Sequence, residues 1–205
     1  MRYAVLAVTV AVMSFPGTTA DAARQSCRHA SAPAPKRVRF DSPRRVVDLT
    51  KPLTAVVRTS CGNFRIALAA KRAPLTVNSF AFLAKMGFYD GLTFHRAVPG
   101  FVIQGGDPRG NGTGGPGYGI TEAPPPDLAY EKGIVGMAKS VSQAPGRSGS
   151  QFFIVLADAK LPPEYALLGR ISAGMNVVQR IGRLGTANEQ PRQTVLIETI
   201  AIRQR

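Results

Sequence analysis

Glycine and proline divide this chain into short segments, and that punctuation limits its possible folds more than any other feature. Twenty-one glycines and sixteen prolines are spread through 205 residues. After residue 87 the apolar runs are brief, near Thr93–Arg96, Gly100–Gln104, Ile134–Ala138, Gln151–Leu156 and Ala166–Ile171, with Gly- and Pro-rich loops between them. Earlier, Thr54–Thr59 and Asn63–Leu68 flank Ser60-Cys61-Gly62, the pattern of a hairpin. Pro74 opens a helix that Gly87 ends, and Leu75, Ser79, Phe82, Leu83 and Met86 recur at helical spacing as its expected core stripe. Asn176–Ile181 predicts a second helix, and the β-branched run Thr194–Ile202 a closing strand. Many short strands, two helices and no βαβ rhythm predict a mainly β chain, a closed antiparallel barrel with helical plugs.

The N-terminal 51 residues read differently. Met1-Arg2 precedes an apolar run from Tyr3 to Phe15, Pro16-Gly17 breaks it, and Ala20-Asp21-Ala22 offers a small-residue exit. This order predicts a secretory signal peptide over residues 1–22, because the run is shorter than the roughly 20 apolar residues a spanning helix needs. The expected product is exported, to a periplasm, envelope or medium, without stable membrane insertion. Residues 23–51 hold eight Lys/Arg against two acids and are rich in Ala and Pro, the composition of an extended basic arm or linker. The folded domain is expected over 52–205. Outside the cytosol, the two cysteines, Cys27 and Cys61, can pair or remain separate thiols.

Several familiar motifs fail on inspection. Gly110, Gly112 and Gly115 have the G-x-G-x-x-G spacing, but Pro116, Gly117, Gly119 and Pro124-Pro125-Pro126 follow where a phosphate-binding helix would have to begin. His29 and His95 lie far apart, with no cysteine or acid at ligand spacing, so no metal is expected. Ser150 lacks the G-x-S-x-G elbow. The net charge of +14 is scattered, without the interleaved aromatic residues of a nucleic-acid platform, so no nucleic-acid partner is expected.

What remains is an ordered set of segments: Phe94-His95-Arg96, Pro99-Gly100-Phe101, Gln104-Gly105-Gly106-Asp107, Gly112-Thr113-Gly114-Gly115, Gly136-Met137-Ala138 and Ser150-Gln151-Phe152-Phe153. In this order and spacing the chain resembles the cyclophilins from about Leu53 to its C-terminus. The resemblance implies an eight-stranded barrel capped by two helices and a peptidyl-prolyl cis-trans isomerase acting on proline-containing polypeptides, with no cofactor; a monomer is expected. It implies that Arg96 is the catalytic donor and that Gln104 holds Arg96 and meets the substrate carbonyl. Phe101, Val102, Phe153, Leu161 and Leu168 would form the proline pocket, with Gln151 and Tyr165 beside them. Ala138 and Lys139 would offer backbone groups to the peptide, and Asn111 and Gly112 would border the groove.

Rotation about a peptide bond faces a barrier of about 18–20 kcal/mol from amide resonance. Lowering it needs no nucleophile or metal, only tighter binding of the twisted amide than of either planar form. Departures from the family pattern lie at the rim: the chain has no tryptophan, Lys160 stands before Leu161 where many members carry an indole, and Tyr165 replaces a frequent histidine. Binding of cyclosporin-like ligands, which the indole favours, is not implied. Ser140–Arg147 is slightly longer than the usual loop.

Overall fold

The computed structural model describes residues 26–205, so the expected leader over 1–22 lies outside the described residues. Among the described residues, ten strands and two helices follow one another as β1 (Leu53–Thr59), β2 (Gly62–Leu68), α1 (Pro74–Lys85), β3 (Leu92–Val98), β4 (Val102–Asp107), β5 (Ile120–Thr121), β6 (Ile134–Met137), β7 (Arg147–Ser148), β8 (Phe152–Val155), β9 (Leu167–Ala173), α2 (Met175–Gly182) and β10 (Leu196–Gln204). Eight of the strands close into an antiparallel barrel in the order β1-β10-β3-β4-β8-β6-β9-β2, and β5 and β7 form a separate ribbon. Closure removes the exposed edges that short strands would otherwise present. The ribbon had no signal in the sequence, being only two residues wide on each side.

Side chains alternate across the barrel wall. In β1, Leu53, Ala55, Val57 and Thr59 are buried while the residues between them are not, and β2 does the same with Phe64, Ile66 and Leu68. Aromatic rings fill much of the interior: Phe80, Phe94 and Tyr89 each lie within 6 Å of Phe152 (ring centroids), all three in edge-to-face pairs.

Helix α1 buries Val77, Phe80, Leu83 and Ala84 along with Ser79 and Phe82, but Leu75 and Met86 are about half exposed. The expected stripe is therefore too long by one residue at each end. Leu75 sits in the first turn, where its N–H is directed outward to a carboxylate, and Met86 is already the C-cap. That carboxylate belongs to Glu122, just beyond β5. It accepts from the Leu75 and Thr76 N–H groups at 3.0 and 2.7 Å, satisfying two donors that a helix start leaves open.

Residues 26–51 form no helix or strand, and they lie along the barrel rather than leading away from it. Backbone N–H groups of Arg28, Lys36 and Phe40 donate to carbonyls of Ser60, Pro108 and Pro116. The Phe40 ring stacks edge-on against Phe82 at 5.2 Å, and Val47 is part of the core. At Gly117 a Cβ would sit 2.8 Å from the Phe40 carbonyl, so glycine there lets the arm pass. Cys27 and Cys61 form a disulfide that ties the arm to the β1–β2 turn across 34 residues.

Closing a loop of that length stabilises a fold by about 3–4 kcal/mol in the chain-entropy account. Cys27→Ser should lower the unfolding free energy in urea by about that amount. The intact protein, unfolded without reductant, should take up no alkylating label by mass.

Candidate functional site

The hydrogen-bond register of four neighbouring strands builds the site. Arg96 on β3 stands opposite Gln104 on β4, Gln104 opposite Phe153 on β8, Phe153 opposite Gly136 on β6, and Gly136 opposite Leu167 on β9. These five positions form one row across the outside of the wall. The residues next to them, Ile103, Phe152, Ile154 and Leu168, point inward and are fully buried. Leu168 is thus a barrel-core residue and not part of the expected pocket. Leu167, one position earlier, packs with Phe153 and Val102 on the outer face, as strand alternation demands.

Along this row lies a cleft of about 210 Å³. Phe153 and Val102 form its buried floor, Phe101, Leu161 and Tyr165 its apolar sides, and Arg96 and Gln104 its polar edge. Tyr165 meets Phe153 edge-on at 5.2 Å and is held by Tyr130, whose hydroxyl donates to the Tyr165 carbonyl at 2.9 Å. Burial pushes the Tyr130 phenol above its ordinary pKa. Gly136 makes room for the floor, since a Cβ there would lie 2.6 Å from Phe153 Cζ.

The polar groups pair differently from expectation. Gln104 does not hold Arg96. Its Nε2 donates to Gln151 Oε1 at 2.9 Å, and Gln151 Nε2 in turn donates to the carbonyls of Gly112 and Gly114. Arg96 is held by Glu189, whose Oε2 accepts from Nε at 2.7 Å. That hydrogen bond and the guanidinium charge hold the Glu189 carboxyl below its ordinary pKa. Neither terminal nitrogen of Arg96 has a hydrogen-bond partner among the described residues.

Gly112 borders an adjoining groove of about 580 Å³ together with Gln104, Ala138, Lys139 and Gln151. Asn111 does not border it. Its Oδ1 accepts from Thr113 N and Oγ1 within the loop, and the residue faces a recess beside the arm. The Ala138 N–H already donates to the Gln151 carbonyl. Lys139 contributes more than backbone. Its side chain is only 6% exposed, and Nζ pairs with Glu164 at 2.9 Å and lies 5.9 Å from the Tyr165 ring centroid, bracing the rim beside Tyr165.

Asp107, also quoted in the motif, is buried and accepts from the backbone N–H groups of Arg109, Asn111 and Gly112, which shapes the glycine loop. His95 faces the arm and not the cleft, and burial lowers its pKa. Glu164, Leu167 and Glu189 escaped the sequence reading. An exposed glutamate in a polar loop carries no local mark of its partner.

Because Gly136 and Phe153 are in such close contact, Gly136→Ala should overpack the wall and lower stability by about 1–3 kcal/mol. Gly115→Ala, with nothing within 4 Å of its Cβ, should leave it unchanged. Urea unfolding of the two variants tests the pair.

Comparison with known proteins agrees with this geometry. Residues 54–202 match the family described as cyclophilin type peptidyl-prolyl cis-trans isomerase/CLD. Peptidyl-prolyl cis-trans isomerase A of Mycobacterium tuberculosis is 37% identical over 169 residues, covering 73% of this chain and 91% of that protein. Peptidyl-prolyl cis-trans isomerase-like 1 of Rhizopus delemar is 41% identical over 138 residues, 66% of this chain and 84% of the other. A probable peptidyl-prolyl cis-trans isomerase B of M. tuberculosis is 39% identical over 145 residues, 63% of this chain, but the match spans only 46% of that longer protein. A crystal structure of a Cryptosporidium parvum cyclophilin type isomerase, in the presence of the dipeptide Ala-Pro, superposes with a TM-score of 0.69 at 29% identity, covering 74% of this chain and 99% of that one. With the barrel order, the row from Arg96 to Gly136 and these relatives in agreement, the chain belongs to the cyclophilin-type peptidyl-prolyl cis-trans isomerases.

Proposed function

We propose that this chain accelerates rotation about X-Pro bonds in exported polypeptides by non-covalent stabilisation of the twisted amide. The observation that carries the reading is an arginine at the edge of an apolar cleft, with both terminal nitrogens free of partners among the described residues. As the amide twists, the prolyl nitrogen regains lone-pair character, and a donor already in place stabilises it more than either planar form. Phe101, Val102, Phe153, Leu161 and Tyr165 take the proline ring, and Gln104, fixed by Gln151, faces the carbonyl side. A relative crystallised in the presence of Ala-Pro supports a proline peptide as the ligand. The export reading draws support from the leader pattern of residues 1–22 and from the Cys27–Cys61 bridge, since disulfides persist in oxidising compartments.

Arg96→Ala should lower kcat/KM for a short X-Pro peptide by roughly 10²–10³ in a protease-free assay, with peptide binding retained. An unchanged rate would remove Arg96 from catalysis. Export predicts a mature protein that lacks the first 22 or so residues and carries no free thiol. A full-length chain recovered from the cytosol with both thiols reduced would argue against it.

A further inference from the structure

Glu189 is the only non-glycine residue with a positive φ among those described, at 60°. A side chain in the left-handed region persists only where its surroundings over-determine it. Here they do. The Glu189 N–H donates to the Thr186 carbonyl at 2.9 Å, and the Thr186 N–H and hydroxyl both donate to the Gln190 carbonyl. The turn is fastened to β3 where the Ala97 N–H donates to the Glu189 carbonyl at 2.7 Å, one residue from Arg96. Gly185 lets the turn approach this closely, because a Cβ there would lie 2.3 Å from the Ala97 carbonyl. One strand therefore fixes both the guanidinium and the carboxylate that meets it.

Stability does not account for this arrangement. The Glu189 side chain is 51% exposed and that of Arg96 33%, and an ion pair in so much water contributes little to folding. What the contact does is orient. A free arginine side chain samples many rotamers. A charge-assisted hydrogen bond to Nε removes much of that freedom and leaves both terminal nitrogens available at the cleft. Gln104, the other candidate for this task, is committed to Gln151.

We propose that Glu189 is a positioning residue for the isomerisation. Through Arg96 Nε it sets the guanidinium, before substrate arrives, in the orientation that meets the twisted prolyl amide. The inference rests on the reading of Arg96 as the donor. Donors aligned in advance lower the barrier without reorganising during the reaction, so the loss on removing Glu189 belongs in kcat more than in KM.

The test is steady-state kinetics on a short X-Pro peptide with the full chain, alongside thermal unfolding. Glu189→Ala should lower kcat about tenfold and change KM by less than about twofold. Glu189→Gln keeps an oxygen that accepts from Nε and should recover kcat to within about threefold of the native protein. Glu189→Gly is the decisive variant. Glycine adopts this backbone without strain, so Tm should not fall, yet kcat should drop as far as in the alanine variant. In an Arg96→Ala background, Glu189→Ala should cost nothing further. Native kcat in the glycine variant, or a loss in the Arg96→Ala background as large as in the native one, would overturn the proposal. If Arg96→Ala alone left the rate unchanged, the donor reading would fail on its own, whatever the Glu189 variants did.

Discussion

The period-two alternation of a closed barrel wall sets the terms for everything else in this molecule. Each strand must give one face to the interior, and antiparallel closure of eight strands fixes their register apart from local bulges such as the one between Phe94 and Arg96. Once Ile103, Phe152 and Ile154 are committed inward, Gln104 and Phe153 have to face out. The site is the outer face of strands whose inner face is the core. Packing inside the barrel therefore fixes the spacing of Arg96, Gln104, Phe153 and Gly136 along the wall, and Glu189 and Gln151 hold the two long polar side chains among them. A one-residue slip on β4 would exchange the two sets and lose both the core and the site.

Loops then supply what strands cannot. The glycine loop after β4 is organised around the Asp107 carboxylate, which collects three backbone N–H groups. At Gly114 a Cβ would lie 2.0 Å from Asp107 Oδ1, so the loop closes on the carboxylate only because that residue is glycine. Gln151 reads the loop from the other side by donating to two of its carbonyls, and passes that constraint to Gln104. Around Gln104 the polar side of the cleft is thus built from backbone groups and amide side chains gathered about the Asp107 carboxylate, with the Arg96–Glu189 pair at its edge.

Much of this was legible in the sequence, and the failures have a common form. Apolar runs and Gly/Pro punctuation located the eight barrel strands and both helices because those signals are local. Two adjacent leucines, Leu167 and Leu168, give no clue in the sequence to their parity, and Leu168, expected in the pocket, faces the barrel core. Leu75 and Met86 fitted the helical period but fell where the helix starts and stops. The pairing of Arg96 with Glu189 spans 93 residues, and Gln104 with Gln151 spans 47, so neither partner could be chosen by spacing. Local chemistry told which residue types mattered; only the register told which of them meet.

The N-terminal arm carries this distinction furthest. Its composition, prolines with arginines and little apolar periodicity, is that of a free linker, and composition is blind to how it is held. Backbone N–H groups of Arg28, Lys36, Phe40 and Val46, with the side chains of Phe40 and Val47, help attach it to the barrel, and a disulfide closes its far end. Arg37 and Arg39 on the same stretch form no ion pair among the described residues, whereas Arg28 pairs with Glu198 on β10. The arm is attached partly through backbone groups and partly through two of its basic side chains: Lys36 Nζ donates to the carbonyls of Gly87, Phe88 and Asp90, and Arg28 pairs with Glu198. An attachment of that kind can tolerate change at Arg37 and Arg39, provided that Cys27, Arg28, Lys36, Phe40 and Val47 keep their places and Gly117 leaves the arm room to pass.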